Sequence, residues 1–223
     1  MTSEPAAVDG RAARWSGQHE RRRAQFVEAA LDAIAEHGPD VSTDQIAQRA
    51  GVARTRLYKH FAGAADLNRS IAARAVELVT AELEPVWNPQ GSPMEMISTA
   101  VSTHLRWLTE HGNLYRYLTK RSLSGSADGP DAVTDVKSSI AQHLSALFDT
   151  YFELLGIEGV PAEPLGYGLV GYVDAAATRW LERPGDVTLD EMIDQLTRAI
   201  WAVLDEILER HGIALDPSDP LPL

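Results

Sequence analysis

Apolar residues recur every three or four positions along almost the whole chain, and this helical spacing limits the fold more than any other feature of the sequence. In residues 20–37, for example, two apolar rows lie on one helical face: Phe26, Ala30 and Ile34, and Val27, Leu31 and Ala35. No segment shows the alternation of apolar and polar residues that a half-buried strand requires. The sequence therefore predicts an all-α protein of about nine helices.

Residues 42–61 predict two short helices that cross around a tight turn. Ser42 followed by Gln45 is a capping box, which begins the first of these helices. Ala47 is small where the helices touch, and Gly51 tolerates the positive φ that the turn needs. Further apolar residues tie the second helix to the first: Ile46, Ala50, Val52, Leu57 and Phe61. This pattern is typical of a helix-turn-helix unit.

The charge of the chain is divided between its two parts. The net charge is −12, yet residues 11–74 hold eleven basic and seven acidic side chains, which sum to +4, while residues 75–223 sum to −14. No acidic residue lies between Asp44 and Asp66, so the second short helix has a face rich in hydrogen-bond donors. This division predicts two modules, of which the first binds nucleic acid.

Residues 20–67 resemble the N-terminal domain of TetR-family transcriptional regulators. The matching residues are Ala29-Ala30, His37-Gly38, Ser42 to Val52, Leu57-Tyr58-Lys59-His60-Phe61 and Asp66-Leu67. The resemblance implies a three-helix DNA-binding domain followed by a helical domain that binds a ligand and dimerises. Bacterial members are mostly homodimeric repressors released from DNA by a small molecule, so it also implies a repressor that binds a palindromic, double-stranded operator.

Two positions depart from the family pattern. Ala53 stands where a serine commonly caps the recognition helix, and Ala64 stands near a position where a lysine commonly holds a phosphate. Without these two contacts, the affinity for DNA has to come from arginines elsewhere. A ligand-binding helical module with weakened DNA binding is therefore the alternative interpretation.

The expected organisation has four parts. Residues 1–18 form a flexible basic arm. Such arms can enter the minor groove of DNA, and a plain flexible tail is the favoured alternative. Residues 19–64 form the helix-turn-helix DNA-binding domain, and residues 65–215 form the ligand-binding and dimerisation domain. Residues 216–223 contain three prolines and form a loose tail.

Side-chain chemistry assigns roles within the DNA-binding domain. Arg54, Thr55 and Arg56 begin the second short helix, where side chains reach base edges in the major groove. Arginine can bind guanine through two hydrogen bonds. The expected phosphate contacts, which set register but carry no sequence information, are Thr43, Tyr58, Lys59, His60, Arg21 and Arg22. For the arginines that begin the first helix, a solvated helix start is an equal alternative.

The second half is expected to form a homodimer. Residues 161–182 predict a helix rich in small residues, which let a partner approach closely, and residues 189–211 predict a helix with a broad apolar stripe. Two such helices from each subunit make a four-helix interface about a two-fold axis. The expected interface residues are Gly168, Gly171, Ala175, Ile200 and Leu204.

Aromatic residues gather in the second half and predict an apolar ligand cavity between its helices. The residues expected to line this cavity are Trp107, Tyr115, Phe148, Phe152 and Trp180. We expect an elongated hydrophobic ligand of acyl or lipid-like character. If an acid such as Glu110, Asp149 or Asp174 faces the cavity, an aromatic cation is the alternative ligand.

The sequence gives no support to other classes of protein. It has no cysteine, no metal-ligand spacing of histidines, no phosphate-binding Walker loop and no dinucleotide fingerprint, so we expect no enzymatic activity, metal or cofactor. No apolar run approaches the ~18 residues of a membrane span, and residues 1–17 lack a signal-peptide core. We therefore expect a cytoplasmic, nucleoid-associated protein without a membrane partner.

Overall fold

The computed structural model describes residues 10–87, 90–123 and 132–220, and within these ranges it is helical throughout, without a strand. The helices are α1 (Gly10–His37), α2 (Thr43–Arg49), α3 (Arg54–Leu57), α4 (Ala64–Leu83), α5 (Pro93–Glu110), α6 (Gly112–Leu123), α7 (Ala132–Leu155), α8 (Ala162–Glu182) and α9 (Leu189–Arg210), with a 3₁₀ turn at Glu84–Trp87 after α4. The prediction of an all-α fold with about nine helices is confirmed.

Helix α1 begins at Gly10, ten residues before the expected start. The segment expected to be a flexible basic arm is therefore helical from Gly10 to residue 18, while residues 1–9 lie outside the described part of the chain. The stretch after Gly10 contains no proline and is rich in alanine and arginine, which have high helix propensity. Arg11 and Arg14 consequently lie on a continuous helix with the residues that follow.

The helix-turn-helix has the predicted local geometry. The Ser42 hydroxyl accepts a hydrogen bond from the Gln45 backbone N–H at 3.3 Å, and the Gln45 side chain accepts one from the Ser42 N–H at 2.8 Å. Gly51 adopts φ +66° in the turn between α2 and α3. Ala47 and Leu57 are buried where these helices meet. Helices α1 to α3 together form what we call the N-terminal unit.

Helices α4 to α9 form a second bundle, in which α7 packs along α8 and α5 packs along α9. Gly166 on α8 lies at the closest approach to α7, since a Cβ atom there would be 2.4 Å from the Ser145 Oγ and 3.0 Å from the Ala141 carbonyl oxygen. The absence of a side chain at this position allows α7 and α8 to pack closely along their lengths.

The chain after α9 returns to the bundle. Ile213 and Leu215 pack against the core, and the Pro217 carbonyl accepts a hydrogen bond of 3.0 Å from the Met94 N–H in the first turn of α5. The tail expected to be loose from residue 216 is thus anchored at Pro217, while residues 221–223 lie outside the described ranges. In the described part of the chain, no helix is both long and apolar enough to cross a membrane.

Candidate nucleic-acid interface and ligand cavity

The start of α3 presents its polar side chains to solvent. Arg54, Thr55 and Arg56 are exposed, whereas Leu57 is fully buried and fixes the rotation of this short helix. Ala53 occupies the N-cap position and makes no side-chain capping bond, as expected from its chemistry. The three residues expected to read bases are thus accessible to solvent.

A small network of side chains joins α2 to α3. The Arg54 guanidinium lies 3.3 Å from the Asp44 carboxylate and 5.5 Å from the centre of the Tyr58 ring, and the Tyr58 hydroxyl donates to the Thr43 hydroxyl at 3.4 Å. The Arg54–Asp44 ion pair is largely exposed, so it contributes little stability and can open at small cost. Arg54, Tyr58 and Thr43 therefore form one continuous surface, in which Arg54 can leave Asp44 for another acceptor.

His60 has a different environment from the other expected phosphate contacts. Its ring lies 4.8 Å from the His19 ring and 5.2 Å from the Phe26 ring, and its Nδ1 atom is buried without a hydrogen-bond partner. Burial lowers the pKa of His60, and the nearby positive charges of His19 and three arginines lower it further. This environment favours the neutral form, so His60 is less suited to a phosphate than the exposed Lys59.

Arg21 and Arg22 are exposed near the N-terminal side of the same unit. Arg21 bonds to the Gly17 carbonyl at 3.0 Å, and Arg22 bonds to the Gln25 side chain at 3.0 Å. Both contacts are local to α1. The two arginines are therefore accessible, and the structure leaves both alternatives for them, phosphate contact and solvated helix start.

Arg23 holds the N-terminal unit to α4, a role that the sequence analysis missed. Its guanidinium binds both carboxylate oxygens of Asp66 at 2.9 and 3.1 Å, bonds to the His60 carbonyl and the Ser70 hydroxyl, and lies 4.4 Å from the centre of the Phe61 ring. The bond to Arg23, followed by a bond from the Ala62 N–H, lowers the pKa of Asp66 to about 2. These contacts fix the start of α4 relative to α1 and to the end of α3.

We expect Asp66→Asn to destabilise the fold by about 2 kcal/mol at pH 7, because the carboxylate pKa is about 2 in the folded chain and 3.8 in its ordinary state. Since the folded-state pKa is depressed, this contribution is complete above about pH 4 and is lost as the pH falls towards 2. Urea unfolding of both proteins across this pH range measures the difference.

Asp32→Asn is the matched control, because Asp32 pairs with Arg49 on an exposed surface. It should change the free energy of unfolding by less than about 0.5 kcal/mol at any pH. Equal destabilisation by Asp66→Asn and the control at pH 7 would show that Arg23 does not need this carboxylate.

An apolar cavity of about 240 Å³ lies inside the second bundle. Residues from α4 to α9 line it, and they include Trp107, Tyr115, Phe148 and Phe152 as the aromatic pattern predicts. Along α7 the lining extends from Val136 to Leu155, which corresponds to about 28 Å of helix at 1.5 Å per residue. The cavity is therefore elongated, with a wall that is almost wholly hydrophobic.

Trp180 does not line this cavity, and its assignment as a pocket residue is wrong. Its indole N–H donates a hydrogen bond of 2.9 Å to the Val187 carbonyl, and the ring packs against the core near the connection between α8 and α9. A tryptophan at a helix end can use its N–H to bond a turn in this way. Aromatic composition alone does not distinguish this position from a cavity wall.

Ile200 and Leu204 line the cavity instead of an outer surface, so their assignment to the dimer interface is corrected. They belong to a row spaced by four residues on α9 that faces the inside of the bundle, together with Leu208. The other edge of the same stripe carries Ala199 and Val203, which lie beside α8 in a shallow groove. The stripe has two edges, as expected, but Ile200 and Leu204 lie on the inner edge.

Three small residues of α8 lie on the side away from the cavity. Gly168, Gly171 and Ala175 are exposed, and Tyr172 and Val203 beside them are 48% and 43% exposed although they are large and apolar. We call this surface the α8–α9 outer face: Gly168, Gly171, Tyr172, Ala175 and Val203. No neighbouring atom lies within 4 Å of a Cβ built at Gly168 or Gly171.

Polar side chains meet at one place in the cavity wall. The Lys137 Nζ lies 2.6 Å from one oxygen of Asp174, and the Tyr115 hydroxyl donates to the other at 3.0 Å. Thr178 lies 3.3 Å from the Tyr115 hydroxyl, and His104 lines the same cavity. We call Lys137, Asp174 and Tyr115 the polar triad. Of the acids considered from the sequence, Asp174 thus faces the cavity, while Glu110 and Asp149 are exposed.

The positive charge of Lys137 and the negative charge of Asp174 offset each other in the polar triad. Burial lowers the pKa of Lys137, but its hydrogen bond to Asp174 and the nearby negative charge outweigh burial, so the pKa lies above its ordinary value. Burial lowers the pKa of His104, which Asp174 opposes and Lys137 reinforces. Lysine and aspartate are therefore a charged pair beside a neutral imidazole. In the described part of the chain, no three His, Asp or Glu side chains are placed to hold a metal ion.

The sequence of the chain is similar to those of known proteins. The family model for bacterial regulatory proteins of the tetR family matches residues 26–71. An uncharacterised HTH-type transcriptional regulator of Mycobacterium tuberculosis is 27% identical over 206 residues, which cover 92% of this chain and 86% of the relative. The HTH-type transcriptional activator FasR of Mycolicibacterium smegmatis is 22% identical over 84% of this chain and 85% of its own.

The fold of the chain is similar to those of solved structures. A tetR-family transcriptional regulator from Streptomyces coelicolor has a TM-score of 0.66 and 24% identity, over 86% of this chain and 83% of its own. The regulator FadR from Bacillus subtilis, in complex with stearoyl-CoA, has a TM-score of 0.61 and 18% identity, over 79% of this chain and 96% of its own. The arrangement of an N-terminal helix-turn-helix and a helical bundle is thus shared with these proteins.

Proposed function

The chain belongs to the TetR family of bacterial regulatory proteins and is a DNA-binding regulator of transcription, and from this premise we propose that it is a homodimeric repressor released from a palindromic operator by an elongated hydrophobic ligand. The observation that carries the proposal is the apolar cavity, whose wall shares helices α4 and α6 with the contacts to the N-terminal unit. A ligand in this cavity is therefore in direct contact with elements that hold the DNA-binding surface.

On the DNA side, the proposal assigns base contacts to Arg54, Thr55 and Arg56, and phosphate contacts to Thr43, Tyr58 and Lys59. The exposure of the first three and the continuous Arg54–Tyr58–Thr43 surface support this assignment. Arg21 and Arg22 are exposed and complete the basic surface. Arginine and lysine near phosphates supply the salt-dependent part of DNA affinity.

For assembly, we propose that two copies associate through the α8–α9 outer face. Its exposed small residues allow a partner helix to approach closely, and its exposed Tyr172 and Val203 are apolar surface that association removes from water. In such a dimer the two recognition helices are expected about 34–36 Å apart, which matches successive major grooves.

Two helices link the cavity to the N-terminal unit. Ala75, Val79 and Leu83 of α4 line the cavity, while Asp66 at the start of the same helix binds Arg23 of α1. A rigid α4 therefore transmits a displacement of its C-terminal half to the DNA-binding surface.

Helix α6 makes a second and shorter link. Its Tyr115 lines the cavity, and its Asn113 donates to the Ala35 carbonyl of α1 at 2.9 Å. Tyr117 of the same helix donates to Asn68 of α4 at 2.7 Å, and its Lys120 pairs with Asp40. A shift of α6 by an occupant of the cavity is thus felt directly at α1 and α4.

The ligand class rests on the shape and chemistry of the cavity. An apolar passage alongside about 28 Å of α7 fits a long chain better than a compact ring system. FadR of Bacillus subtilis, which shares the fold, is in complex with stearoyl-CoA. The alternative of an aromatic cation has less support, because the charge of Asp174 is already matched by Lys137.

We expect Arg56→Ala to weaken operator binding by about 1–3 kcal/mol and to relax specificity at one base pair. Lys59→Ala should weaken binding to all sequences alike and reduce the dependence of log K on log salt by about one unit. Fluorescence anisotropy with the DNA upstream of the chain's own gene and with a scrambled duplex, at several salt concentrations, measures both effects.

Arg198→Ala on the exposed side of α9 is the control and should leave DNA binding unchanged. If both test variants bind the operator as tightly as the original chain, the α3 assignment is wrong. If the original chain binds no upstream DNA above the level of the scrambled duplex, the alternative of a ligand-binding module with weakened DNA binding is the better description.

If the ligand releases DNA, the ligand and the operator must each lower the affinity of the protein for the other. We expect dodecanol, used below its solubility limit as a single-chain probe, to bind about 5–150-fold more weakly when the protein is saturated with operator, because coupling between two sites is reciprocal. Calorimetric titration of the protein with and without operator measures this factor. Equal affinity in the two titrations would show that the probe occupies the cavity without acting as an effector.

A further inference from the structure

The polar triad is unusual in a wall that is otherwise apolar. Among the described residues that line the cavity, Lys137, Asp174 and His104 are the ionisable side chains apart from tyrosines. A buried ion pair loses hydration, and hydrophobic residues of similar volume often give equal or greater stability. The triad therefore has no evident role in packing, and its position marks the place where an occupant of the cavity is polar.

We infer that the ligand is an uncharged single-chain amphiphile, whose hydroxyl or amide head binds the polar triad while its chain lies along α7 towards Leu155. The inference rests on the proposed function and names the chemical class of the ligand for the same cavity. It departs from an acyl-coenzyme A and from an aromatic cation, the charged ligands considered above.

The charge of the site favours a neutral head. Lys137 and Asp174 lie 2.6 Å apart, so their charges sum to zero within the space that the head group occupies. A carboxylate head is attracted by Lys137 but repelled by Asp174, and an ammonium head meets the reverse. Either head adds an unbalanced charge to an apolar cavity, which is strongly unfavourable.

The hydrogen-bonding capacity of the site fits a group that both donates and accepts. The Asp174 oxygens accept from Tyr115 and Lys137, and each oxygen can accept one more hydrogen bond. Lys137 has three N–H donors, of which Asp174 and Tyr115 engage two. A hydroxyl or an amide can therefore donate to Asp174 and accept from Lys137 without breaking the existing pair.

Trp107 supplies a second indication that the occupant brings an acceptor. Its ring lines the cavity one helical turn after His104, and its indole N–H is buried without a hydrogen-bond partner. A buried donor without an acceptor is costly, so such groups are nearly always satisfied in native structures. An occupant that carries an oxygen atom at this place would supply the Trp107 N–H with an acceptor.

A long-chain coenzyme A ester has a different requirement. Its head carries several phosphate charges, and these need cationic side chains or exposed backbone N–H groups. Lys137 is the one cation among the described residues of the wall, and it is already paired with Asp174. The described wall of this cavity therefore lacks the unpaired positive charge that a phosphate-bearing head needs.

Two pairs of probes separate charge from size. Dodecanol and dodecylammonium have heads of similar size, as do dodecanamide and dodecanoate, and each pair differs by one charge. We expect the full chain, titrated without DNA at pH 7 below the solubility limit or micellar concentration of each probe, to bind the neutral member of each pair at least about tenfold more tightly. A change in the intensity or wavelength of tryptophan fluorescence reports binding, because Trp87, Trp107 and Trp201 line the cavity.

Two variants should change these preferences, one in favour of the anionic probe and the other in favour of the cationic probe. Asp174→Asn leaves Lys137 uncompensated, so dodecanoate should gain at least about tenfold relative to dodecanamide. Lys137→Met leaves Asp174 uncompensated, so dodecylammonium should gain by a similar factor relative to dodecanol. Arg179→Gln is the control, since Arg179 lies on α8 outside the cavity and its loss should leave the order of affinities unchanged.

The outcomes separate this inference from the proposed function. If the charged members bind the original chain as tightly as the neutral ones, or if neither variant alters the order, the head does not bind at the polar triad and the inference is overturned, while the apolar ligand stands. If dodecanoyl-coenzyme A binds more tightly than every neutral probe, the inference is likewise overturned. If no probe binds, the inference and the ligand part of the proposed function both fail. Two variants with opposite charge effects keep the test valid even if one of them folds poorly.

Discussion

Gly171→Arg is expected to give a folded monomer that no longer binds operator DNA. Gly171 is exposed on α8, and nothing lies within 4 Å of a Cβ atom placed there, so the isolated subunit has room for the arginine. In the proposed dimer the same position faces a partner helix at close range, where a long charged side chain cannot be accommodated.

Loss of the dimer should lower the operator affinity at least about a hundredfold, because two linked reading units gain this much or more from simultaneous binding. Sedimentation at micromolar concentration, circular dichroism and anisotropy with labelled operator test the three parts of the prediction. Gly171→Ala is the matched control and should remain dimeric. A monomeric original chain, or a Gly171→Arg protein that is dimeric and binds the operator, would rule out the α8–α9 outer face as the interface.

Gly166→Val is expected to destabilise the subunit itself by about 3 kcal/mol, at the upper end of the usual range for overpacked cores. A Cβ at this position lies 2.4 Å from the Ser145 Oγ and 3.0 Å from the Ala141 carbonyl oxygen. The serine hydroxyl can rotate away, but the carbonyl belongs to the α7 backbone, so α7 and α8 must separate. Urea unfolding at one protein concentration measures the loss.

Gly168→Ala provides a comparison on the same helix. No atom of the subunit lies within 4 Å of its Cβ, and alanine has a higher helix propensity than glycine by about 1 kcal/mol. This variant should be as stable as the original chain or slightly more stable. If Gly166→Val and Gly168→Ala unfold at the same urea concentration, the close contact between α7 and α8 is not required.

The sequence predicted best what depends on neighbouring residues. The Ser42–Gln45 capping box, the positive φ of Gly51 and the buried Leu57 all follow from spacing within a short segment, and each is present. Local chemistry of this kind does not depend on how distant helices pack.

The predictions that were wrong depend on the rotation of a helix against distant neighbours. The apolar stripe of α9 is wide enough for two surfaces, and its periodicity does not say which edge carries Ile200 and Leu204. The contacts of Arg23 with Asp66 and of Lys137 with Asp174 join residues 43 and 37 positions apart, so no sequence spacing indicates them.

The return of the chain after α9 also bears on how this architecture can change its specificity. Leu215 contributes to the cavity wall, and the carbonyl of Pro217 is held by the first turn of α5. This part of the wall belongs to no helix, so substitutions here alter the size of the cavity without disturbing the packing of helix against helix. If the cavity holds the effector, as proposed, mutation in these few residues would change which effector fits while the helices that link the cavity to the DNA-binding surface stay as they are.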